Sequence, residues 1–501
     1  MPGSLENRPK VWDYETVLEK IGYGKTQWIL LLVSGLLTIT TVAAQQAMGI
    51  IVIASQCDFH TTQAEKGVMM ATRTAGLVLS TIVWGYISDD VGRRKVLIYG
   101  TFASNALQFS LMFVSDLWLF NIINFFAGIS VGSVPAALYP YLGEFNIPRH
   151  RAVTINYSTM FVTVSAIIVP AAAWLILSYD WAITLGDFVF RPWRLMLLIN
   201  LLPGLIGGLV LLYYPESPKF LLSQDKTQEA IEVVTWISKF NKGKSIQQVM
   251  EYEEFTLKSE DPDGERLLAN SQGIVTKIVQ ANMPLFHKPH RLNFILCNLA
   301  VFGLFFASCG VQVWLPDIVN KLSGDVNNSS TVCKILSLPL GAPQNVTQED
   351  CTVHISSKTY IDNLIVGFAF LLAFSIQGFL LNPLGRKNVL FAALAGAVLS
   401  GIFLHFIGNP TGVLVVFCLY ILLPGLCISI MIGAIVDLVP THLRSKAVSF
   451  CMSMGRLGVI ASTNLIGVML TPYCNTTFAI FTSTLIVCIV IVRYLPIKNS
   501  A

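Results

Sequence analysis

Two arginines, Arg73 and Arg456, stand inside stretches of sequence otherwise too apolar to hold a charge. A guanidinium at such a depth is expensive to bury and ordinarily faces a bundle interior or a water-filled cavity. Neither has an obvious carboxylate partner within an apolar stretch. Two such groups in one cavity would favour an anionic or zwitterionic small solute. Two other readings stay open. Arg73 sits about a quarter of the way into its stretch, from where it can snorkel to the interface. Arg456 can pair with Asp89 or Glu144 between helices or at a gate. Uncharged polar groups extend the set: Gln45 and Gln46, mid-stretch, with Asn298 and Gln312, are candidates to line a cavity, and Trp174 to contact cargo. Amides of this kind also hydrogen-bond between helices, and a tryptophan near a stretch end also serves as an interfacial anchor.

Covalent chemistry is not written in this chain. No Walker-type G-x-x-x-x-G-K-[ST] sequence, H-E-x-x-H pair, nucleophile elbow or cluster of metal ligands occurs, and the histidines are scattered. We expect no enzyme, no cofactor and no metal.

The elements that must position these groups follow from composition. Of 501 residues, 54% are apolar and only 12% charged, with a mean hydropathy of +0.64. A water-facing domain carries about 25% charged residues, so much of this surface faces hydrocarbon and the lipid bilayer is the first partner. With 33 basic and 29 acidic residues the charge is too even for nucleic-acid binding. A helix needs about 20 apolar residues to cross the bilayer. Such runs lie near 28–54, 67–87, 96–114, 118–142, 153–177 and 194–214, then near 291–314, 360–381, 389–407, 412–436, 447–470 and 477–494. The expectation is an all-α membrane protein of twelve transmembrane helices in two six-helix halves. A cytosolic segment 1–27 precedes the half at 28–214, and a cytosolic linker, 215–290, precedes the half at 291–494. Within the linker, Ile231, Val234 and Ile237 have the spacing of an amphipathic helix over Ser223 to Lys239. A non-cytosolic loop spans 315–359 and a cytosolic tail 495–501.

Loop charge sets the orientation. Arg93, Arg94 and Lys95, then Arg149 and Arg151, Arg386 and Lys387, Arg444 and Lys446 all fall on the side of the N-terminus and the linker, which the positive-inside rule makes cytosolic. Sequons at Asn327, Asn328, Asn345 and Asn475 fall on the other side and are the expected glycosylation sites. Cys57, Cys333, Cys351 and Cys474 share that side, where disulfides persist. A Cys333–Cys351 bridge within the 315–359 loop is the first expectation.

Several short motifs repeat a known pattern. Gly85-Tyr-Ile-Ser-Asp89-Asp90-Val-Gly92-Arg93-Arg94-Lys95 resembles the G-x-x-x-D-R-x-G-R-R-K loop of the major facilitator superfamily, with Asp90 in place of the basic residue. The resemblance implies a tight turn at Gly92, close helix approach at Gly85, and an Asp89 that stabilises a cytosolic gate against the other half. Asn382-Pro-Leu-Gly385-Arg386-Lys387 resembles a decayed copy of that loop after the eighth run, and so a six-plus-six repeat with a midplane site. Gly128 to Gly132 followed by Glu144 and Arg151, Pro215-Glu-Ser-Pro-Lys219, and Asp437 through Pro440, Thr441 and Arg444 resemble elements of sugar-porter and organic-ion carriers. Asn124 stands where those carriers usually have an arginine. Ser178-Tyr-Asp180-Trp181 with Phe190-Arg-Pro-Trp193-Arg194 is similar to the synaptic vesicle glycoprotein 2 family, with a shorter span 7–8 loop than its vertebrate members.

The resulting expectation is a transporter of a small organic solute, an organic ion with an anion preferred, working by gradient-driven or facilitated alternating access. A proton or other ion is a candidate coupling partner. The alternative is a non-transporting vesicle glycoprotein that keeps the carrier fold as a binding platform. The expected address is the plasma membrane or a secretory, synaptic-type vesicle, the latter on resemblance.

Overall fold

The computed structural model describes residues 10–250, 255–257, 282–323, 332–336 and 355–497, apart from positions 180, 187, 289, 441 and 442. The chain is a multi-pass membrane protein, with twelve membrane-length helices among the described residues. Spans 1 to 6 are Lys25–Ala54, Gln63–Val91, Arg93–Phe113, Leu117–Glu144, Pro148–Leu177 and Pro192–Leu211. Spans 7 to 12 are Arg291–Ser323, Ser357–Leu381, Arg386–Phe403, Thr411–Leu438, Lys446–Met469 and Cys474–Tyr494. Residues 10–24, the described part of the linker and residues 495–497 lie at one end, here the linker side; the opposite end is the outer side.

Local chemistry explains where the helices begin. Thr62 and Glu65 close a reciprocal cap on span 2: Glu65 N–H donates to Thr62 Oγ1 (3.3 Å), and Thr62 N–H donates to Glu65 Oε2 (2.8 Å). Asp116 caps span 4 through Leu119 N–H. Pro148 and Pro192 open spans 5 and 6, where a missing N–H costs nothing. Gly92 (φ +115°) and Gly385 (φ +77°) make the turns after spans 2 and 8, a conformation that excludes side chains. The loop after span 2 and its decayed copy after span 8 therefore turn the chain in the same way.

Span 7 differs from its expected end at 314. Its second helical segment, Cys309–Ser323, runs on through Asp317 and Lys321, because these charges find each other and a partner on span 2.

On the linker side the chain builds a cap on the first half. A short helix, Tyr14–Ile21, buries Tyr14, Val17, Leu18 and Ile21, and β1 (Lys10–Trp12) pairs in parallel with Phe255–Leu257. The linker forms a short helix Pro218–Ser223 and then Thr227–Lys242, which buries Ala230, Val233, Val234 and Ile237. The amphipathic helix is thus present, but Val233 replaces Ile231 on its buried face. Lys242 Nζ donates to Lys20 O (2.8 Å) and Asn241 to Gln27 Oε1 (3.0 Å), joining linker to N-terminal segment.

Cys333 is bonded to Cys474, which corrects the expected Cys333–Cys351 bridge. The fold carries the start of span 12 to the short helix Val332–Leu336, a proximity that sequence separation hides. Cys351 and the sequons at Asn327, Asn328 and Asn345 lie outside the described residues; Asn475 is exposed in the first turn of span 12.

Candidate functional site

The two halves meet in the outer part of the bundle and separate toward the linker side. The outer contact is partly ionic. Lys66 Nζ on span 2 lies 3.3 Å from Asp317 Oδ1 on span 7, and Lys321 Nζ lies 3.1 Å from Asp317 Oδ2. None of these side chains is more than 7% exposed. Backbone closes the same level. A Cβ on Gly67 would meet Thr463 O at 2.8 Å, one on Gly467 would meet Gln63 O at 2.7 Å, and one on Gly367 would meet Ala166 O at 2.6 Å. Small residues are what permits helices this close in lipid, where hydrophobic association is absent. Toward the linker side the pattern reverses. Gly85 on span 2, Gly378 on span 8 and Gly433 on span 10 have no atom within 4 Å of an added Cβ. The close helix approach expected at Gly85 is not made in this state.

Between these levels Arg456 of span 11 crosses to the first half. Its Nη1 donates to Thr81 Oγ1 (3.2 Å) on span 2, and Tyr139 of span 4 lies beside both Arg456 and Thr38 of span 1. Four spans from two halves therefore converge on one guanidinium. A carboxylate, the alternative partner read from sequence, does not take it: Asp89 and Glu144 both face Arg93. Gln46 Oε1 accepts from Ser165 of span 5 (2.9 Å). Gln312 is half-buried on span 7, its backbone N–H donates to Ser308 O (2.9 Å), and its side chain has no hydrogen bond among the described residues.

The other candidates are placed elsewhere. Gln45 is used between spans 1 and 2, donating to Met70 O (3.0 Å) and accepting from Thr74 (2.6 Å). Asn298 donates to Phe294 O within its own helix. Trp174 is 40% exposed, three residues from the outer end of span 5. Arg73 faces neither the cavity nor the interface. It is 3% exposed, points into the first half, and donates to Ser104 Oγ (3.3 Å).

The linker-side charges form two separate networks, one per half. In the first, Arg93 lies 3.1 Å from Asp89 and 3.3 Å from Glu144, and Arg94 N–H donates to Glu216 (2.9 Å) while its side chain donates to Leu211 O and Leu212 O. Glu15 then bridges Arg151 (3.2 Å) and Lys219 (2.7 Å), and the hydrogen bond from Lys219, with the charges of Lys219 and Arg151, holds its carboxyl below the ordinary value. In the second half Arg386 pairs with Asp437, and Arg444 donates to Val439 O. Arg93–Glu144 and Arg386–Asp437 are the same contact in the two repeats: the loop after the second span of a half against the end of its fourth. Asp89, with a 73% exposed side chain, reaches Arg93 of its own half.

Four residues that matter here were not among those singled out from sequence. Asp317 lay beyond the expected end of span 7, though its i,i+4 spacing to Lys321 was a usable signal. Thr81, Tyr139 and Ser165 carried none, since hydroxyls abound in membrane helices. The Phe190-Arg-Pro-Trp-Arg194 stretch turns out to be scaffolding: Arg191, Trp193 and Arg194 all donate to Asp58, at 3.0, 2.7 and 3.4 Å.

Comparison with known proteins gives a consistent picture. A model described as Major Facilitator Superfamily matches residues 30–344. Synaptic vesicle glycoprotein 2C of Mus musculus is 24% identical over 331 residues, covering 62% of this chain and 45% of that protein. Synaptic vesicle glycoprotein 2B of Homo sapiens is 25% identical over 366 residues, covering 70% and 53%. The chain spans about half the length of the curated relatives it matches. Among solved structures, the partially occluded inward open conformation of the xylose transporter XylE from E. coli aligns with a TM-score of 0.66 at 14% identity, over 97% of this chain and 99% of that one. A D-xylose-proton symporter aligns with a TM-score of 0.60 at 15% identity, over 94% and 97%. At these identities the likeness shows the shared fold.

Proposed function

This chain belongs to the Major Facilitator Superfamily, and from that premise we propose that it carries a small organic anion across a membrane by alternating access. The observation that supports this reading is the asymmetry of the half–half interface. The outer level is joined by Lys66–Asp317 and by glycine-mediated backbone contact, while Gly85, Gly378 and Gly433 on the linker side face open space. That is the arrangement of a carrier halted in one of its two states, open to the side read as cytosolic. A static platform has no need of a sealed side and an open side around a central guanidinium.

Arg456 is the solute anchor. Among the described residues it is the one cation of the central cluster, and its hydrogen bond to Thr81 is a neutral contact that an anionic group can displace. Gln46 and Gln312 supply further polar contacts from spans 1 and 7. The solved relatives are named for xylose, and a neutral sugar would rely on such amides and hydroxyls; the arginine favours a carboxylate or similar anion. With Arg73 outside the cavity, the preference for an anion rests on Arg456. The coupling partner is a proton or another ion, and the host membrane is a vesicle or plasma membrane, with the relatives' names favouring the vesicle.

Uptake into sealed proteoliposomes from a panel of organic anions, cations, sugars and nucleosides, with and without pH and voltage gradients, tests the proposal. We expect saturable uptake of an anion, lost in Arg456→Ala and partly restored in Arg456→Lys. Uptake of a neutral sugar that Arg456→Ala leaves intact would overturn the anion reading. No uptake by a folded, correctly oriented sample would favour the platform.

A further inference from the structure

Arg73 remains unexplained by the transport reading, because it sits inside the first half, separate from the cavity between the halves. A buried guanidinium without a counter-charge is strongly unfavourable, and proteins compensate it. Here the described partner is one neutral hydroxyl: Arg73 Nη2 donates to Ser104 Oγ on span 3 (3.3 Å), and Ser104 Oγ in turn donates to Ala127 O on span 4 (3.2 Å). Arg73 Nε is buried with no hydrogen-bond partner. Among the described residues, the acidic groups of the outer part of this half are engaged elsewhere, Asp58 by Arg191, Trp193 and Arg194, Glu65 by the Thr62 cap, and Asp116 by Leu119 N–H.

The same core carries a second anomaly. Asn124 on span 4 is fully buried, and neither its Nδ2 nor its Oδ1 has a partner. It lies one turn from Ala127 and Gly128, and a Cβ on Gly128 would meet the Arg73 Cα at 3.2 Å. On span 3, Gln108 is one turn beyond Ser104; its Nε2 donates to Leu197 O (3.1 Å) but its Oε1 is unpartnered, as is Asn121 Oδ1. Donors and acceptors that could satisfy one another are held apart. A buried polar group left without a partner is costly, so a ligand that satisfies several of them at once would stabilise this core.

We propose that Arg73 and Asn124 hold a small monovalent inorganic anion of halide size, with water bridging it to Gln108 and Asn121. The fixed positive charge excludes a cation. The guanidinium Nε–H and the Asn124 amide N–H are the free donors that an anion requires, and the bridging water donates to the orphaned carbonyl oxygens. The ion neutralises Arg73 and ties spans 2, 3 and 4 together.

The test is thermal unfolding of the purified full chain, without solute, as sodium chloride replaces sodium gluconate at a constant ionic strength of about 150 mM. Because a ligand bound only by the folded state raises apparent stability by mass action, the melting temperature should rise saturably, by about 2 °C or more. Bromide should act as chloride does. Asn124→Asp supplies a carboxylate beside Arg73 and should fold without the ion, its melting temperature insensitive to chloride. Equal melting of the unaltered protein in chloride and gluconate would overturn the proposal, as would an Asn124→Asp protein that keeps the full chloride response. Neither outcome depends on whether a solute is transported.

Discussion

Asp317→Asn is the perturbation that bears most directly on alternating access. Asp317 sits between Lys66 of the other half and Lys321 of its own helix, at 3.3 and 3.1 Å, all nearly buried. At an effective dielectric of about 20 a pair at that distance attracts by roughly 5 kcal/mol, but much of this offsets the loss of hydration. When the outer side opens, Asp317 keeps Lys321 and loses Lys66, so only the cross-half pair enters the balance between states. A net value of about 1.5–3 kcal/mol, usual for a charged hydrogen bond, corresponds to roughly 10- to 100-fold in population at about 1.4 kcal/mol per decade. The amide removes that attraction and leaves two lysines facing each other. The equilibrium should shift by that factor toward the state open outside. The assay is labelling of Asn464→Cys by a membrane-impermeant maleimide, since Asn464 lies against Gly67 at the sealed level. Labelling should speed up by the same factor in the Asp317→Asn background, and much less with Lys321→Gln, which leaves the cross-half pair in place. Unchanged labelling in folded Asp317→Asn protein would refute the idea that this contact holds the outer side shut.

Other outcomes follow from the same structure. The Glu15 carboxyl lies below its ordinary value, so its stabilising effect is complete above the unfolded value of about 4.3 and is lost as pH falls through the lower folded value. Hydrogen-exchange protection of Tyr14–Ile21, corrected for intrinsic rates, should be level from neutral pH to about 5 and fall below about 4. In Glu15→Gln it should already be low at neutral pH. Gly92→Ala places a Cβ at φ +115° and 2.5 Å from Glu216 Oε2, a strain of about 1–3 kcal/mol that should lower the melting temperature more than an alanine at Ala-tolerant Gly378. A non-reduced digest should give a peptide pair joined through Cys333 and Cys474; a Cys333–Cys351 pair would contradict the fold.

The helices were legible in the sequence because a membrane span is set by the length of an apolar run, and backbone polar groups in hydrocarbon leave no alternative to a helix. The turn at Gly92 was legible through the resemblance of its loop to a known motif, and Gly385, in the decayed copy of that loop, makes the same positive-φ turn. What was hidden depended on which helix meets which. Asp317 looked like a loop residue because a span was expected to end where charge begins, yet two lysines allow the helix to carry that carboxylate onward. Cys333 gave no sign of Cys474 across 141 residues of sequence. The depth of Arg73 and Arg456 was readable, but their direction was not: one turns into its own half and the other crosses to Thr81, and a single charged residue in an apolar run carries no phase information.

The pairing of β1 with the strand Phe255–Leu257 has a consequence for biosynthesis. As the chain emerges, residues 10–12 have no strand partner until the linker has been made, roughly 10–50 s later at common elongation rates. That partner nevertheless precedes Arg291, the first residue of span 7. The first six helices can thus be inserted, capped and closed into a finished unit while the ribosome has yet to deliver the seventh, and the second half would then assemble against a completed template.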